Sequence, residues 1–503
     1  MSRAGRRLAP ALMLGALVAC LGLPPAPAPT NPMRFLSLND VYVGDTLADG
    51  SGGLARVATM RTRVQAEGPT LFVLAGDFLS PSVLSKYYGG RQMIEMLNAA
   101  KLDYATFGNH EFELPRDTLV ARIHIANFKW LSANCREASG DAFPGVLAWD
   151  TLRLAHRKVG IFGLTLQGDY PAYVRCSDPD SAARLVIDTL IQQGAEFVVA
   201  LTHQTVEADR ALLNREGRLD MILGGHEHEH MTVAISTRYI LKADANARTA
   251  QFATVWGSKG QWREAVALLP VSPTAAPLDT TVARVAAAWA DSLRARLGPQ
   301  RVLGTIQTPF DARDAVQRRA ETPLGDLVAD AVRAGTKADA ALINAGAIRI
   351  DDILYPGPFT NYDLESLFLF ADETRAVTLS MTGARLRELL EHSVSDGVIG
   401  KGGFLQVSGI AFAYDPGRPS GSRVVGEIVR PDGEVIGPGA TLRVALPAFM
   451  ACSGGDGYKV PEAAAACEAR GRAPRTADLL AAFVTDSLHG AIAPPPAGRI
   501  TRR

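Results

Sequence analysis

Short apolar runs in the first half of the chain end, one after another, on side chains that bind metal ions. Residues 34–39 (RFLSLN) stop at Asp40, residues 70–75 (TLFVLA) lead through Gly76 to Asp77, and residues 104–107 (YATF) lead through Gly108 to Asn109 and His110. Farther along, residues 197–202 (FVVALT) stop at His203, and residues 221–223 (MIL) run through Gly224 and Gly225 into His226-Glu227-His228. Of the chain's nine histidines, His110, His203, His226 and His228 fall in this pattern. A lone Asp or His after a strand is ordinarily a cap or a turn former. Packing does not explain the repetition. Helical spacing over residues 54–66, 91–100, 181–193 and 208–214 separates the runs, and a further strand pattern covers 158–164 (KVGIFGL). Strands alternating with helices imply a layered α/β sheet. The carboxyl ends of strands line the ligand crevice of such sheets, so these side chains are expected at one rim. Carboxylate, amide and imidazole suit borderline divalent ions such as Zn, Mn, Co or Fe. A set this large fits two ions sharing a carboxylate, an arrangement that clamps a phosphoryl group.

With 503 residues the chain is too long for one ordinary core, and two globular domains are expected. Lys plus Arg and Asp plus Glu both number 52, so no polycation is present to coat a nucleic acid polymer. Five cysteines are too few for a disulfide scaffold. The pattern divides into a leader over 1–32, a domain over 33–275, a linker over 276–299 with an Ala-rich helix at 280–297, and a domain over 300–503. The last mixes strand patterns at 340–343, 376–379 and 442–445 with helical ones at 324–335 and 382–393. The leader reads as an export signal: Arg3, Arg6 and Arg7, an apolar stretch over 8–23 broken by Pro10, then Pro-rich sequence over 24–32. Within it Leu17-Val18-Ala19-Cys20 resembles a bacterial lipobox, which implies cleavage before Cys20 and a lipid anchor on that residue. The mature chain is therefore expected outside the cytoplasm, periplasmic or on the cell surface. There disulfides persist, and the pairs Cys135/Cys176 and Cys452/Cys467 suggest one bridge per domain.

The series Asn39-Asp40, Gly76-Asp77, Gly108-Asn109-His110-Glu111, Thr202-His203 and Gly225-His226-Glu227-His228 resembles the calcineurin-like metallophosphoesterases, closest to their 5′-nucleotidase / UDP-sugar hydrolase branch. The resemblance implies an N-terminal layered α/β metallophosphoesterase sandwich and a C-terminal α/β substrate-binding domain. Carried over, Asp77 bridges two metals. Asp40 and His228 hold one, and Asn109, His203 and His226 hold the other. His110 acts on the substrate phosphate and its leaving oxygen, oriented by Glu113, where the family more often has Asp. The family's first motif is Asp-x-His, but this chain has Asp40-Val41-Tyr42. A phenol with a pKa near ~10 is a poorer ligand than imidazole unless the metal deprotonates it. Tyr42 therefore joins the candidate metal set as a tyrosinate, as the holder of a water, or as the cause of a weakened first ion.

The second half is similar to the C-terminal domain of the same branch in Glu321-Thr322-Pro323-Leu324-Gly325-Asp326, Asn344-Ala345-Gly346-Ala347-Ile348-Arg349, Phe404-Leu405-Gln406-Val407-Ser408-Gly409 and Gly454-Gly455-Asp456-Gly457-Tyr458. By that resemblance Arg349 and one of Arg318 or Arg319 face the phosphate. Asn344 contacts the base, Phe370 and Phe449 sandwich it at roughly 1–3 kcal/mol each, and Asp456 holds the ribose. Lys86 and Tyr87 read as solvated surface. The expected activity is metal-dependent hydrolysis of nucleoside 5′-monophosphates, with a hinge near 280–297 gating turnover. UDP-sugar pyrophosphatase and 2′,3′-cyclic phosphodiesterase use the same machinery, and a non-catalytic nucleotide binder follows if Tyr42 has cost a metal. Nothing in the pattern specifies an oligomeric state.

Overall fold

The strands Thr70–Ala75 and Phe197–His203 are buried on both faces along their whole length. Strands of that kind need a covering layer on each side. The computed structural model of the chain describes residues 31–47, 49–168, 170–350, 353–370 and 374–503, and the export-signal and lipobox readings fall outside the described residues. Among these residues the first half forms two stacked sheets. One has the order Gln261–Pro270, Thr249–Ser258, Met33–Leu38, Thr70–Ala75, Tyr104–Thr106, Lys129–Leu131, Val146–Leu147. The other runs Met231–Ile235, Arg238–Lys242, Met221–Gly225, Phe197–His203, Arg157–Thr165, Trp149–Leu154.

Alternate residues of the two sheets interlock. Phe35, Leu71, Val73 and Ala75 of one meet Ile161, Phe197, Val199, Leu201 and Leu223 of the other in a single buried cluster. The outward-facing residues of the first sheet are covered by the helices Leu54–Glu67 and Arg91–Ala99, those of the second by Pro179–Gln192 and Val206–Arg215. The result is a helix–sheet–sheet–helix sandwich. Met33–Leu38 pairs in parallel with Thr70–Ala75, and Phe197–His203 pairs in parallel with Met221–Gly225 with His203 opposite Gly225. Parallel register brings the carboxyl ends of these strands to one rim.

The helix Thr280–Leu297, expected as a spacer, lies along the first half. Val282 and Ala286 enter its core at i, i+4 spacing, and Trp289 at i+7 donates to Glu95 at 3.0 Å. The second half is built on the sheet Ala376–Thr382, Thr441–Pro447, Ala340–Asn344, Leu405–Ser408. Two of its sequence motifs act together. Thr322 caps the helix Pro323–Thr336, with Pro at the first position, and Gln406 accepts from Thr322 N at 3.0 Å while donating to the carbonyls of Gln317 and Ala320, each at 2.8 Å. A Cβ at Gly325 would lie 2.4 Å from Gln406 Cγ, so the motif needs glycine there. Disulfides join Cys135 to Cys176 and Cys452 to Cys467, one in each half. No helix among the described residues is long and apolar enough to cross a membrane.

Lys86 and Tyr87 are not solvated surface. Lys86 Nζ contacts Glu365 Oε2 at 2.5 Å and donates to the Phe368 carbonyl at 3.0 Å, and Tyr87 Oη donates to the same Glu365 oxygen at 3.0 Å. The acceptors belong to the second half of the chain, so these half-buried side chains lie at the contact between the halves. Local sequence gives no sign of a partner so distant.

Glu264, on the strand Gln261–Pro270, has no hydrogen-bond partner for either carboxylate oxygen among the described residues. Burial, aided by the charge of Asp220, pushes its pKa from 4.5 up to about 8. Between those values the unfolded chain releases the proton and the folded chain keeps it, so stability falls as pH rises. Glu264→Gln removes this loss. In thermal melts the variant should match the parent near pH 4 and exceed it at pH 8 by about 2–4 °C. Equal melting points at both pH values would show that the proton is not held.

Candidate metal centre

Each of the two strand-end aspartates divides its oxygens between the backbone and the rim. Asp77 Oδ1 accepts from His110 N at 2.9 Å, and its Oδ2 stands 3.0 Å from His203 Nε2. Asp40 Oδ2 accepts from Asn39 Nδ2 at 2.8 Å and from His226 N at 2.9 Å, while its Oδ1 is 3.4 Å from His228 Nε2 and 3.9 Å from His203 Nε2. His203 Nδ1 bonds the Ala75 carbonyl at 2.8 Å, which orients the ring with Nε2 toward the rim. That Nε2 has no hydrogen bond despite its closeness to Asp77, and neither has the buried Oδ1 of Asn109. Against burial, Asp77 and Asp40 together push the pKa of His203 up to about 9, so the space between these groups favours positive charge, as a cation site must. Asp40, Asp77 and His203 offer ligand atoms all within 4.8 Å of one another. The His226 ring lies 5.3 Å from that of His203, centroid to centroid. Tyr42 reaches into the same space: its hydroxyl is 3.0 Å from His228 Nε2, 3.2 Å from Asp77 Oδ2 and 3.4 Å from Asp40 Oδ1.

The electrostatics agree with a cation-binding set. Burial opposes ionisation of Asp40 and Asp77, but the facing imidazoles of His203, His228 and His110 outweigh it and hold both carboxyls below their ordinary range. Burial and the neighbouring His203 push His226 down to about 4, so its ring is neutral and its lone pair available.

Holding these ligands costs backbone strain. Asp40, Asp77, His226 and His228 have φ of 54°, 57°, 97° and 62°. Such conformations cost non-glycine residues on the order of 1–3 kcal/mol each and persist where the surroundings enforce them. Glu111 is the enforcer for two loops. Fully buried, it accepts from the backbone N–H of Asp77, Phe78, Leu79 and Gly108 at 2.6–3.0 Å. Burial and the charge of Asp77 push its pKa up to about 7, against those same hydrogen bonds. A Cβ at Gly108 would fall 2.0 Å from Asp77 Oδ1, so only glycine lets the two loops meet. Lys242 does the corresponding work under His226 and His228. Its buried ammonium reaches the carbonyls of Gln204 and Gly225 and the carboxylates of Glu227 and Asp209 at 2.6–3.0 Å. A lysine at the buried end of a strand (RYILK) is the sign the sequence offers for this, but its acceptors lie on other loops.

His110 stands beside this centre. Its Nδ1 is 2.6 Å from Glu113 Oε1 and its Nε2 is 3.8 Å from Asp77 Oδ2. Burial disfavours its charged form, but Glu113 and Asp77 outweigh that and raise its pKa.

The family models agree with this geometry. The calcineurin-like phosphoesterase model matches residues 33–230, and the model described as 5′-nucleotidase, C-terminal domain, matches residues 302–463. The chain belongs to the two-domain 5′-nucleotidase family. It is 25% identical over 464 residues to the snake venom 5′-nucleotidase of Naja atra, covering 82% of this chain and 86% of that one. To the 5′-nucleotidase of Homo sapiens it is 26% identical over 510 residues, covering 90% and 88%. The crystal structure of a 5′-nucleotidase precursor from Thermus thermophilus superposes with a TM-score of 0.79 at 25% identity, covering 94% of this chain and 99% of that one.

In this 5′-nucleotidase-family hydrolase the second half brings Arg349 to the centre, on a partner the sequence did not suggest. Arg349 Nη2 donates to Glu113 Oε1 at 2.7 Å, the oxygen that also meets His110. Its guanidinium lies 5.1 Å from the ring centroid of the half-buried Phe370, a cation–π contact on that ring. Arg318 pairs with Asp314, and Arg319 is exposed with its guanidinium beside Gly400. The Nε atoms of Arg318 and Arg349 are buried without a hydrogen bond among the described residues. Asn344 donates to Asp456 Oδ2 at 2.9 Å and leaves its own Oδ1 unbonded. Phe449 packs half-buried with its ring against Gly455.

Replacing Glu111 by Ala leaves four buried N–H groups without their acceptor. Urea unfolding should show a loss of about 3–5 kcal/mol, and metal analysis of the folded fraction should show depleted content. A variant that keeps both would remove Glu111 as the organiser of these loops.

Proposed function

We propose that this enzyme hydrolyses nucleoside 5′-monophosphates to nucleoside and phosphate outside the cytoplasm. The observation that carries the reading is the meeting of the Asp40/Asp77/His203 cluster and the His110–Glu113 pair with Arg349 of the second half at 2.7 Å. Asp40, Asp77, Tyr42 and His228 would hold one divalent cation, and Asp77, Asn109, His203 and His226 the other. Such cations supply Lewis acidity and neutralise phosphoryl charge. The Nε donors of Arg318 and Arg349, buried without a hydrogen bond among the described residues, support guanidinium recognition of a phosphate. Asn344 and Asp456 offer an amide oxygen and a carboxylate to a base and a ribose diol. Glu113 fixes the His110 ring through Nδ1, so Nε2 faces the reacting side and can pass its proton to the departing 5′-oxygen. The leader and the two bridges support an exported protein, with lipid on Cys20 as its anchor.

Phosphate release from a nucleotide panel with added Mn, Co, Zn or Mg tests this. His110→Ala should lower kcat by about 10²–10⁴-fold while bound metal is unchanged. Asp77→Asn should lose both activity and metal. If Tyr42→His raises activity at low metal, Tyr42 is a weak ligand; if it abolishes activity, the phenol oxygen is the working ligand. Hydrolysis of UDP-sugars or 2′,3′-cyclic nucleotides with monophosphates untouched would overturn the substrate assignment.

A further inference from the structure

A cavity of about 670 Å³ lies between the two halves of the chain, and Tyr42, His110, His228 and Arg349 form part of its wall. The rest of the wall is mostly apolar, with Met93 and Met96 from the first half, Trp289 and Leu293 from the helix Thr280–Leu297, and Ile353 and Leu354 from the second half. Asn344, Phe370, Phe449 and Asp456 are not on it, so it is separate from the nucleoside contacts proposed above. The volume falls within the range of about 300–1,000 Å³ that holds a small organic molecule.

Several of the wall's polar groups are already engaged. Asp363 is used by the Thr360 backbone and hydroxyl, at 2.8 and 2.6 Å. Asp314 pairs with Arg318, and Asn246 accepts from the backbone N–H of Tyr42 and Val43, each at 3.0 Å. Meanwhile apolar side chains stand open at the same wall: Val43 is 40% and Tyr355 63% exposed. The groups suited to a phosphate dianion, His110, His228 and Arg349, sit where the cavity meets the metal centre.

We propose that this cavity receives the alcohol part of a second substrate class, phosphate monoesters of medium-chain alkyl or aryl alcohols, whose phosphate occupies the same metal centre. The inference rests on the phosphatase reading of that centre. Water adds to phosphorus, the bond from phosphorus to the alcohol oxygen breaks, and His110 returns a proton to that oxygen. Alcohol and inorganic phosphate are the products. An ester of this kind enters by burying carbon against carbon, so its recognition grows with chain length until the cavity is full.

The test uses the full chain loaded with Mn²⁺, n-alkyl phosphates from ethyl to decyl, and AMP. Up to the length that fills the cavity, kcat/KM should rise about three- to fourfold per methylene. Ala290→Phe, which fills the cavity from the helix, and Leu354→Asp, which charges it from the other half, should each lower kcat/KM for hexyl phosphate by about tenfold or more and leave AMP within about twofold. Hexylphosphonate binding, followed by calorimetry, should weaken in the same two variants. A chain-length series that is flat in both turnover and phosphonate binding overturns the proposal. So does an equal loss toward AMP and hexyl phosphate in both variants, which would make the cavity the nucleoside's own. Alkyl phosphate turnover with no AMP turnover would sink the nucleotidase reading and support this one.

Discussion

The arrangement depends on one carboxylate being held with its two oxygens in different company. Asp77 Oδ1 is tied to the backbone of His110, and Oδ2 faces the rim beside His203. The split requires Asp77 to sit in a left-handed turn, at φ 57°, directly after a buried strand. Relaxing the turn would withdraw Oδ2 from His203 and from the candidate metal group it forms with Asp40. Buried Glu111 prevents this by binding the N–H groups on both sides of the turn and across to Gly108. The strain is local, but the groups that contain it come from another loop.

The second half of the chain is joined to this centre by ion pairs rather than by a shared core. Arg349 meets Glu113, and Lys86 meets Glu365, while the apolar clusters of the two halves remain distinct. Charged contacts at an interface reform readily after separation in water, whereas an extended apolar contact would hold the halves together. Separating the halves breaks Arg349 from Glu113, and Glu113 is the partner that orients His110. The position of the second half and the orientation of the His110 ring therefore meet at one oxygen atom, Glu113 Oε1.

The gathering of Asp40, Asp77 and His203 was legible in the sequence, because each stands at or just after the end of a strand and parallel strands bring their ends together by topology. The disulfide halves were legible as pairs within each domain. The supports were not. Glu111 stands inside a recognised motif, but three of the four bonds it accepts come from a loop 30-odd residues earlier. Lys242 and Glu227 are visible as charges but not as partners. Lys86 and Tyr87 have the composition of a solvated turn, and only the folded chain brings Glu365 to them. Sequence pattern reports which residues share an end of a sheet. It does not report which side chains satisfy one another across domains.

Glu113, beside His110, acquires meaning once its neighbours are known. A carboxylate that only orients His110 needs one hydrogen bond. Glu113 makes three contacts: Oε1 with His110 at 2.6 Å and with Arg349 at 2.7 Å, and Oε2 with the Ser80 hydroxyl at 2.9 Å. Its neighbours His110 and Arg349 outweigh burial and keep it ionised, so the longer side chain carries a full negative charge to the contact between the halves. The added methylene lets one carboxylate serve the histidine of its own domain and the arginine of the other.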